Sequence, residues 1–322
     1  MALYLMKNQI VKVGLIGLGR MGQNHLRVLS MLKNVELVFI FDPNNEKAKD
    51  IGESYGVSVE DDLELMLGQV DAVIIASPTV THAEYVRQVA KYVKNIFVEK
   101  PLADTLLEAD SLWNLSQENG LNVQVGFIER FNPAIEQLKK VIAQSSKIVS
   151  IDFTRTNRIS SRITDVDVIA DLMIHDIDLA LYLNGPIRSV SAHGFIEDKM
   201  IDFASAMLTH TNGHFSRIQA SRITDKKARS IQATCIDMYV DCDLLRKEII
   251  INRQTETHQQ SNGPYMISSF EETVEIRPQE ALLMELQAFL SSCLGESVDK
   301  PDALDGLEAM RICNEIQTII LE

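Results

Sequence analysis

Long apolar runs are missing from the sequence. Nothing approaches the ~18 consecutive apolar residues that a membrane-spanning helix requires, which argues against a helical membrane protein. A basic surplus is missing too: Lys and Arg number 31 against 45 Asp and Glu, and the formal charge of −14 speaks against a general partner of nucleic acid or of anionic membranes. Cysteine is scarce. Cys235, Cys242, Cys293 and Cys313 show no close-pair spacing and are expected to be reduced, structural residues of a cytoplasmic protein. The segment from Ala2 to Met6 has no basic start, long apolar stretch or small-residue cleavage site, so it does not read as a signal peptide. Repeats and low-complexity linkers are absent as well. What is present is a 322-residue chain with 24% charged residues and a mean hydropathy near zero, enough for one large or two ordinary globular domains.

The first strong signal is Val11 to Ile16, a compact apolar run that ends in Gly17-Leu18-Gly19-Arg20-Met21-Gly22, with a helical pattern from Asn24 to Lys33. Strand, glycine turn and helix together are the context that a dinucleotide fingerprint needs. Gly17 permits the tight turn, Gly19 lets backbone approach a pyrophosphate, and Gly22 lets the helix pack on the strand. Arg20 and Met21 lie between them, and the helix N-terminus offers unpaired N–H donors to anionic oxygens. The next strand, Val35 to Phe41, ends in Asp42, twenty residues past Gly22, where a carboxylate can accept from adenosine ribose hydroxyls. Pro43, Asn44 and Asn45 follow instead of an Arg, which favours NAD over NADP.

The third strand, Ala72 to Ala76, leads into Ser77-Pro78-Thr79 and then His82, at the carboxyl end of a parallel sheet where ligands bind. His82 either contacts the cofactor or caps the following helix. Ile96 to Val98 is a further strand that ends in Glu99-Lys100-Pro101, where Glu99 and Lys100, like Ser77, Pro78 and Thr79, are expected at the cofactor and Lys100 is held by backbone on both sides rather than free in solvent. A helix from Leu106 to Gln117 and a strand from Asn122 to Gly126 close this first domain.

Asp165 to Leu183 predicts a helix of about five turns, since Val168, Ile169, Leu172, Met173, Leu179 and Leu183 recur at helical spacing. Asp167, Asp171, His175 and Asp178 are four, four and three residues apart and are expected on one face. With no basic partner in the segment except His175, the carboxylates either hold that imidazole or face a cleft. A packed Asp–His pair accounts for the pattern equally well. A metal site is not expected, because no second His or Cys ligand lies nearby.

From Lys147 onward the pattern turns to β-rich runs at roughly ten-residue spacing: Val190 to Phe195, Phe203 to Thr209, His214 to Ser221, Ser230 to Thr234, Met238 to Val240 and Glu248 to Ile251. Such spacing without intervening helices implies a mostly antiparallel sheet. Thr255 to Tyr265 is polar and contains Asn262-Gly263-Pro264, as expected of a solvated loop or hairpin end. Helices at Gln279 to Leu294 and Ala303 to Leu321 complete an α+β second domain. The expected fold is an α/β Rossmann domain over residues 1–126, followed by an α+β domain over residues 127–322 with a large open, mostly antiparallel sheet.

Lys147, Arg155, Arg158 and Arg162 face one acid, Asp152, between residues 147 and 162. If a strand brings Arg155 and Arg158 towards the helix carrying His175, they clamp a diphosphate through charge-assisted hydrogen bonds. Pairing with surplus surface carboxylates is the alternative.

In combination, the glycine turn at Gly17 to Gly22, Ser77-Pro78-Thr79, Glu99-Lys100-Pro101, and Asp171 four residues before His175 resemble the Gfo/Idh/MocA family, named for glucose-fructose oxidoreductase, inositol dehydrogenase and MocA. The resemblance covers essentially the whole chain. It implies an NAD(P)-dependent oxidoreductase acting on a sugar or cyclitol, with homodimers or homotetramers formed through the sheet face. It also implies that Lys100 is the active-site lysine, His175 the acid/base and Asp171 their helical companion. The wording of Ile163 to Val168 and Asp171 to Leu179 looks most like dehydrogenases that oxidise UDP-N-acetylglucosamine at C3. An inositol or free-sugar dehydrogenase and a catalytically silent NAD-sensing regulator are the rival readings. The chain departs from the family's pattern at Ala281, where Pro is frequent after Glu280, and this bears on a helix start rather than on chemistry.

Overall fold

The structure is a computed structural model that describes residues 9–59, 62–158, 166–259 and 265–322. The chain divides into two compact units. One comprises the N-terminal part through Ile128 together with Glu280–Met310. The other comprises Glu129–Gln279 and Arg311–Glu322. The expected division at residue 126 therefore differs at the C-terminal end, where a long segment returns to the first unit.

In the first unit six strands form a wholly parallel sheet: β1 (Val11–Ile16), β2 (Val35–Phe41), β3 (Ser58–Val59), β4 (Ala72–Ile75), β5 (Asn95–Glu99) and β6 (Asn122–Gly126). Their spatial order is β3-β2-β1-β4-β5-β6, the doubly wound arrangement whose strand order reverses between β1 and β4. β4 is Ala-Val-Ile-Ile with every residue buried, as a strand covered on both faces must be. Helices α1 (Arg20–Met31), α2 (Asn45–Tyr55), α3 (Leu63–Leu67), α4 (His82–Val89) and α5 (Leu106–Asn119) connect the strands. Local capping sets several ends. Asn44 caps α2, Thr105 caps α5 by accepting from the Glu108 N–H at 3.3 Å, and Gly120 ends α5 in the left-handed region.

The returning segment explains the altered division. Leu282, Leu286, Phe289 and Leu290 lie on one face of a helix at Ala281–Cys293 and join Val13, Leu15, Ile74 and Phe97 in one buried cluster. Phe97 and Phe289 meet edge to face at 5.7 Å. Each such side chain contributes about 1.5–3 kcal/mol on burial, so this helix is part of the first unit's core.

The second unit holds eight strands: β7 (Ile148–Thr156), β8 (Ile187–Glu197), β9 (Met200–His210), β10 (Phe215–Ser221), β11 (Ala228–Cys235), β12 (Tyr239–Asp243), β13 (Glu248–Gln259) and β14 (Tyr265–Val274). They are ordered β14-β13-β12-β11-β7-β10-β9-β8, and every pair is antiparallel except β7 with β10. Thr255 to Gln259 and Tyr265 belong to the β13–β14 pair, so the expected loop is largely strand; Asn262, Gly263 and Pro264 fall outside the described residues. Ile151, Phe153, Ile218, Ala220, Ile231 and Ala233 alternate inward to make one face of the sheet. A helix, α6 (Pro133–Ile142), opens with the Asn132 side chain capping the Ala134 N–H and with Pro133 at its first position.

The segment read as one five-turn helix is divided. Ile169–Met173 is a π-helical turn, closed by the Ile174 N–H to the Ile169 carbonyl, and α7 (Ile174–Asn184) continues it as an α-helix. No helix among the described residues is long and apolar enough to cross a membrane.

Candidate active site

The glycine turn joins β1 to α1, and its three glycines meet different constraints. Gly17 adopts φ +91°, and a Cβ there would lie 2.5 Å from the Ser77 amide nitrogen. A Cβ on Gly22 would sit 1.9 Å from the Gly17 carbonyl oxygen, so the helix approaches the turn only without a side chain. At Gly19 an added Cβ meets nothing within 4 Å, which leaves the backbone open to an approaching group. α1 has neither a side-chain cap nor an acidic residue in its first turn, and its first N–H groups remain available to an anion.

A cavity of about 540 Å³ opens at this turn, lined by Gly17, Gly19, Arg20, Met21, Asp42, Pro43, Asn44, Lys47, Ala76, Ser77, Pro78, Thr81 and Tyr85. Asp42 is fixed from both sides: one carboxylate oxygen accepts from the Leu18 N–H at 2.7 Å and the other from the Asn44 N–H at 2.9 Å. The carboxylate thus ties the end of β2 to the glycine turn and keeps lone pairs for hydroxyl donors in the cavity. The open glycine backbone, the uncapped helix end and the buttressed carboxylate fit a dinucleotide. Lys47 and Tyr85 were not legible as lining residues, since each is placed by the helix that follows its strand.

Of the residues expected at the cofactor, Gly22, Thr79, His82, Glu99 and Lys100 are outside this lining; Gly22 acts instead by letting α1 approach the turn. His82 is almost wholly buried, with Nδ1 2.8 Å from the Pro101 carbonyl oxygen and Nε2 3.0 Å from that of Ser77. Burial holds its pKa below the ordinary histidine value, against the pull of the two carbonyls. It neither caps α4 nor reaches the cavity; it bridges the two segments that end β4 and β5. Glu99 accepts from His25 Nε2 at 2.7 Å and from the Lys100 N–H at 3.3 Å, and the Lys100–Pro101 peptide is cis.

In the second unit Asp171 lies in the π turn and His175 in the first turn of α7, both half-buried. The other two members of the expected polar face have different tasks. Asp167 accepts from the Ile169 and Ala170 N–H groups at 3.0 and 2.9 Å and from Gln317 at 2.7 Å, so it caps the segment. Asp178 is fully buried and takes two guanidinium nitrogens of Arg130 at 2.6 and 2.9 Å. The expectation that these carboxylates have no cation but His175 is therefore corrected, because the cation comes from a segment 48 residues earlier.

Arg155 corrects a second expectation. Its side chain is 2% exposed, in phase with Ile151 and Phe153 on the covered face of the sheet. It donates twice to Asp176 and once to Glu129, each at 2.8 Å, and Arg229 reaches the same Glu129 oxygen at 3.0 Å. Burial opposes the guanidinium charge, but the Asp176 and Glu129 carboxylates outweigh it and raise the Arg155 pKa. Burial likewise opposes the Glu129 charge and is outweighed by Arg155 and Arg229, which lower its pKa. Burial raises Asp176 despite its arginine. An arginine so enclosed, with its charge met by two carboxylates, is not placed to receive a diphosphate. Arg158, just past the end of β7, is 67% exposed and pairs with Asp225 beside Lys226 and Lys227. Arg162 lies outside the described residues.

Among the described residues, no three His, Cys, Asp or Glu side chains gather as a metal site requires. All four cysteines are free thiols, and burial pushes those of Cys242 and Cys293 up to about 12, beyond the range in which they react as thiolates.

Two family models match the chain: an oxidoreductase family with an NAD-binding Rossmann fold over residues 11–127, and a GFO/IDH/MocA C-terminal domain over residues 144–237. UDP-N-acetylglucosamine 3-dehydrogenase of Acidithiobacillus ferrooxidans is 29% identical over 94% of this chain and 94% of its own. Its solved structure superposes with a TM-score of 0.86 at 27% identity, covering 96% of this chain and 97% of that one. The NAD(+)-dependent scyllo-inositol 2-dehydrogenase of Bacillus subtilis is 32% identical over 70% of this chain and 71% of its own. With the glycine turn, the buttressed Asp42 and the two matched domains in place, the chain belongs to the Gfo/Idh/MocA family and is an NAD-binding oxidoreductase acting on CH–OH groups.

Proposed function

We propose that the protein oxidises a secondary alcohol of a nucleotide sugar, with UDP-N-acetylglucosamine oxidised at C3. The observation that carries this reading is the similarity to the Acidithiobacillus enzyme over nearly the full length of both chains, in sequence and in fold. Lys100, Asp171 and His175, all present, also weigh against a catalytically silent regulator.

In this reading His175 takes the hydroxyl proton as general base, and Asp171 orients the imidazole or raises its basicity. Lys100 stabilises the substrate oxygen as it becomes a carbonyl, through a charge that needs no reorganisation at the moment of reaction. NAD, when bound, accepts the hydride from carbon. Gly17, Gly19, Arg20, Met21, Gly22, Asp42, Ser77 and Pro78 would hold the cofactor, the free N–H groups at the start of α1 serving its anionic oxygens and Asp42 its ribose hydroxyls. The scattered free cysteines fit work in the cytoplasm, and copies associate through the face of the eight-stranded sheet, as the family resemblance implies.

Asp42→Ala is expected to weaken NAD binding by about 1–3 kcal/mol, the scale for charged hydrogen bonds, and to lower thermal stability slightly because the Leu18 and Asn44 N–H groups lose their acceptor. Fluorescence titration with NAD and NADP checks this. A wild-type preference for NADP overturns the assignment of Asp42.

The substrate is tested by kinetics on UDP-N-acetylglucosamine, its free sugar and inositols. Exposed Arg158, paired with Asp225, which Lys226 and Lys227 follow in the sequence, is the side chain left to meet a diphosphate from the expected set of described residues. Arg158→Ala should raise KM for the nucleotide sugar about ten- to a hundredfold, with a smaller effect on kcat. Added salt should weaken binding in the same way. The 32% identity to a scyllo-inositol dehydrogenase favours the rival reading, a cyclitol substrate. Good turnover of inositol with none of any nucleotide sugar would decide for it.

A further inference from the structure

Lys100 is held by a hydrogen-bonded frame that reaches back into the helix of the glycine turn. His25, in the second turn of α1, is completely buried; its Nε2 lies 2.7 Å from one carboxylate oxygen of Glu99, and its ring meets Phe97 edge to face at 5.2 Å. The other Glu99 oxygen accepts the Lys100 N–H at 3.3 Å. Across the sheet, Glu99 pairs with Gly126, where an added Cβ would come within 2.8 Å of that oxygen, so the carboxylate fills the place of a side chain. On the far side of Lys100, His82 Nδ1 lies 2.8 Å from the Pro101 carbonyl oxygen.

The buried imidazole is a costly choice for packing alone. Its Nδ1 is enclosed and makes no hydrogen bond, so the ring carries a desolvation penalty that a phenylalanine in the same place would avoid. The carboxylate it holds is in turn fixed to the backbone of the lysine. We propose that His25 and Glu99 are positioning residues for Lys100: His25 orients the Glu99 carboxylate, which fixes the Lys100 amide and through it the start of the lysine side chain. Glu99, expected at the cofactor from its sequence position, thereby acts on the lysine instead. The inference rests on the reading of Lys100 as the group that stabilises the reacting oxygen.

His25→Phe keeps the ring against Phe97 and removes the donor, whereas His25→Gln returns an N–H to about the position of Nε2. With the full-length enzyme, NAD and UDP-N-acetylglucosamine, His25→Phe should lower kcat roughly ten- to a hundredfold, the scale for a misplaced catalytic group, with KM for NAD unchanged. His25→Gln should recover most of that loss. In a Lys100→Ala background His25→Phe should change kcat no further. Losses that multiply in the double variant overturn the proposal, as does a rise in KM for NAD without a fall in kcat. Full activity of Lys100→Ala alone would instead remove the reading on which the proposal rests. Should His25→Phe not fold, Gly126→Ala displaces the same Glu99 oxygen from the opposite side, and it should show the same kcat loss and the same lack of effect without Lys100.

Discussion

Lys100→Ala and His175→Ala are each expected to lower kcat by about 10²–10⁴-fold, the range for losing a positioned acid/base or a charge that stabilises the reacting oxygen. Affinity for NAD should change little, since neither residue lines the cavity at the glycine turn. The two losses have different origins. Without His175 the hydroxyl proton has no acceptor in the transition state, so activity should return partly as pH rises. Without Lys100 the developing oxygen charge is unsupported, and pH should not restore it. Steady-state kinetics across pH, with cofactor titration on the same preparations, reads both effects. Near-normal turnover in either variant removes that residue from the mechanism.

Arg155→Ala is expected to cost about 3–5 kcal/mol of folding stability, because it strips the counter-charge from two buried carboxylates, Asp176 and Glu129. Arg158→Ala, three residues on, should change stability by about 0–1 kcal/mol, since its pair with Asp225 is solvent-exposed and screened. Urea denaturation of the two variants therefore gives opposite answers for neighbouring arginines of like sequence context. If Arg155→Ala unfolded like wild type and lost only nucleotide-sugar affinity, the buried network would not be what holds α7 to the sheet.

That contrast shows where the sequence was informative. Arg158 lies past the end of β7 and outside its alternation, whereas Arg155 falls in phase with Ile151 and Phe153 along that strand, so its burial was readable in the pattern. Its partners were not, because Glu129 and Asp176 lie 26 and 21 residues away and only the fold brings them together. The glycine turn, Asp42 and the parallel sheet were legible because each depends on residues close in sequence. The π turn was not: helical spacing of Asp167, Asp171, His175 and Asp178 assumes one uniform period, and Asp167 and Asp178 are taken by Gln317 and Arg130 from remote segments. The return of the helix carrying Leu282 and Phe289 to the first unit also has no local signature, since an apolar helical face fits any core.

The central claim is direct hydride transfer from a sugar carbon, with His175 removing the hydroxyl proton. Its most direct test is UDP-N-acetylglucosamine deuterated at C3, incubated with the protein and NAD and analysed by mass spectrometry of the reduced cofactor. One deuterium is expected on the nicotinamide, with a keto sugar formed in equal amount and both products forming about 10²–10⁴-fold more slowly in His175→Ala. Reduction without deuterium transfer, or no reduction with any nucleotide sugar, would contradict the account.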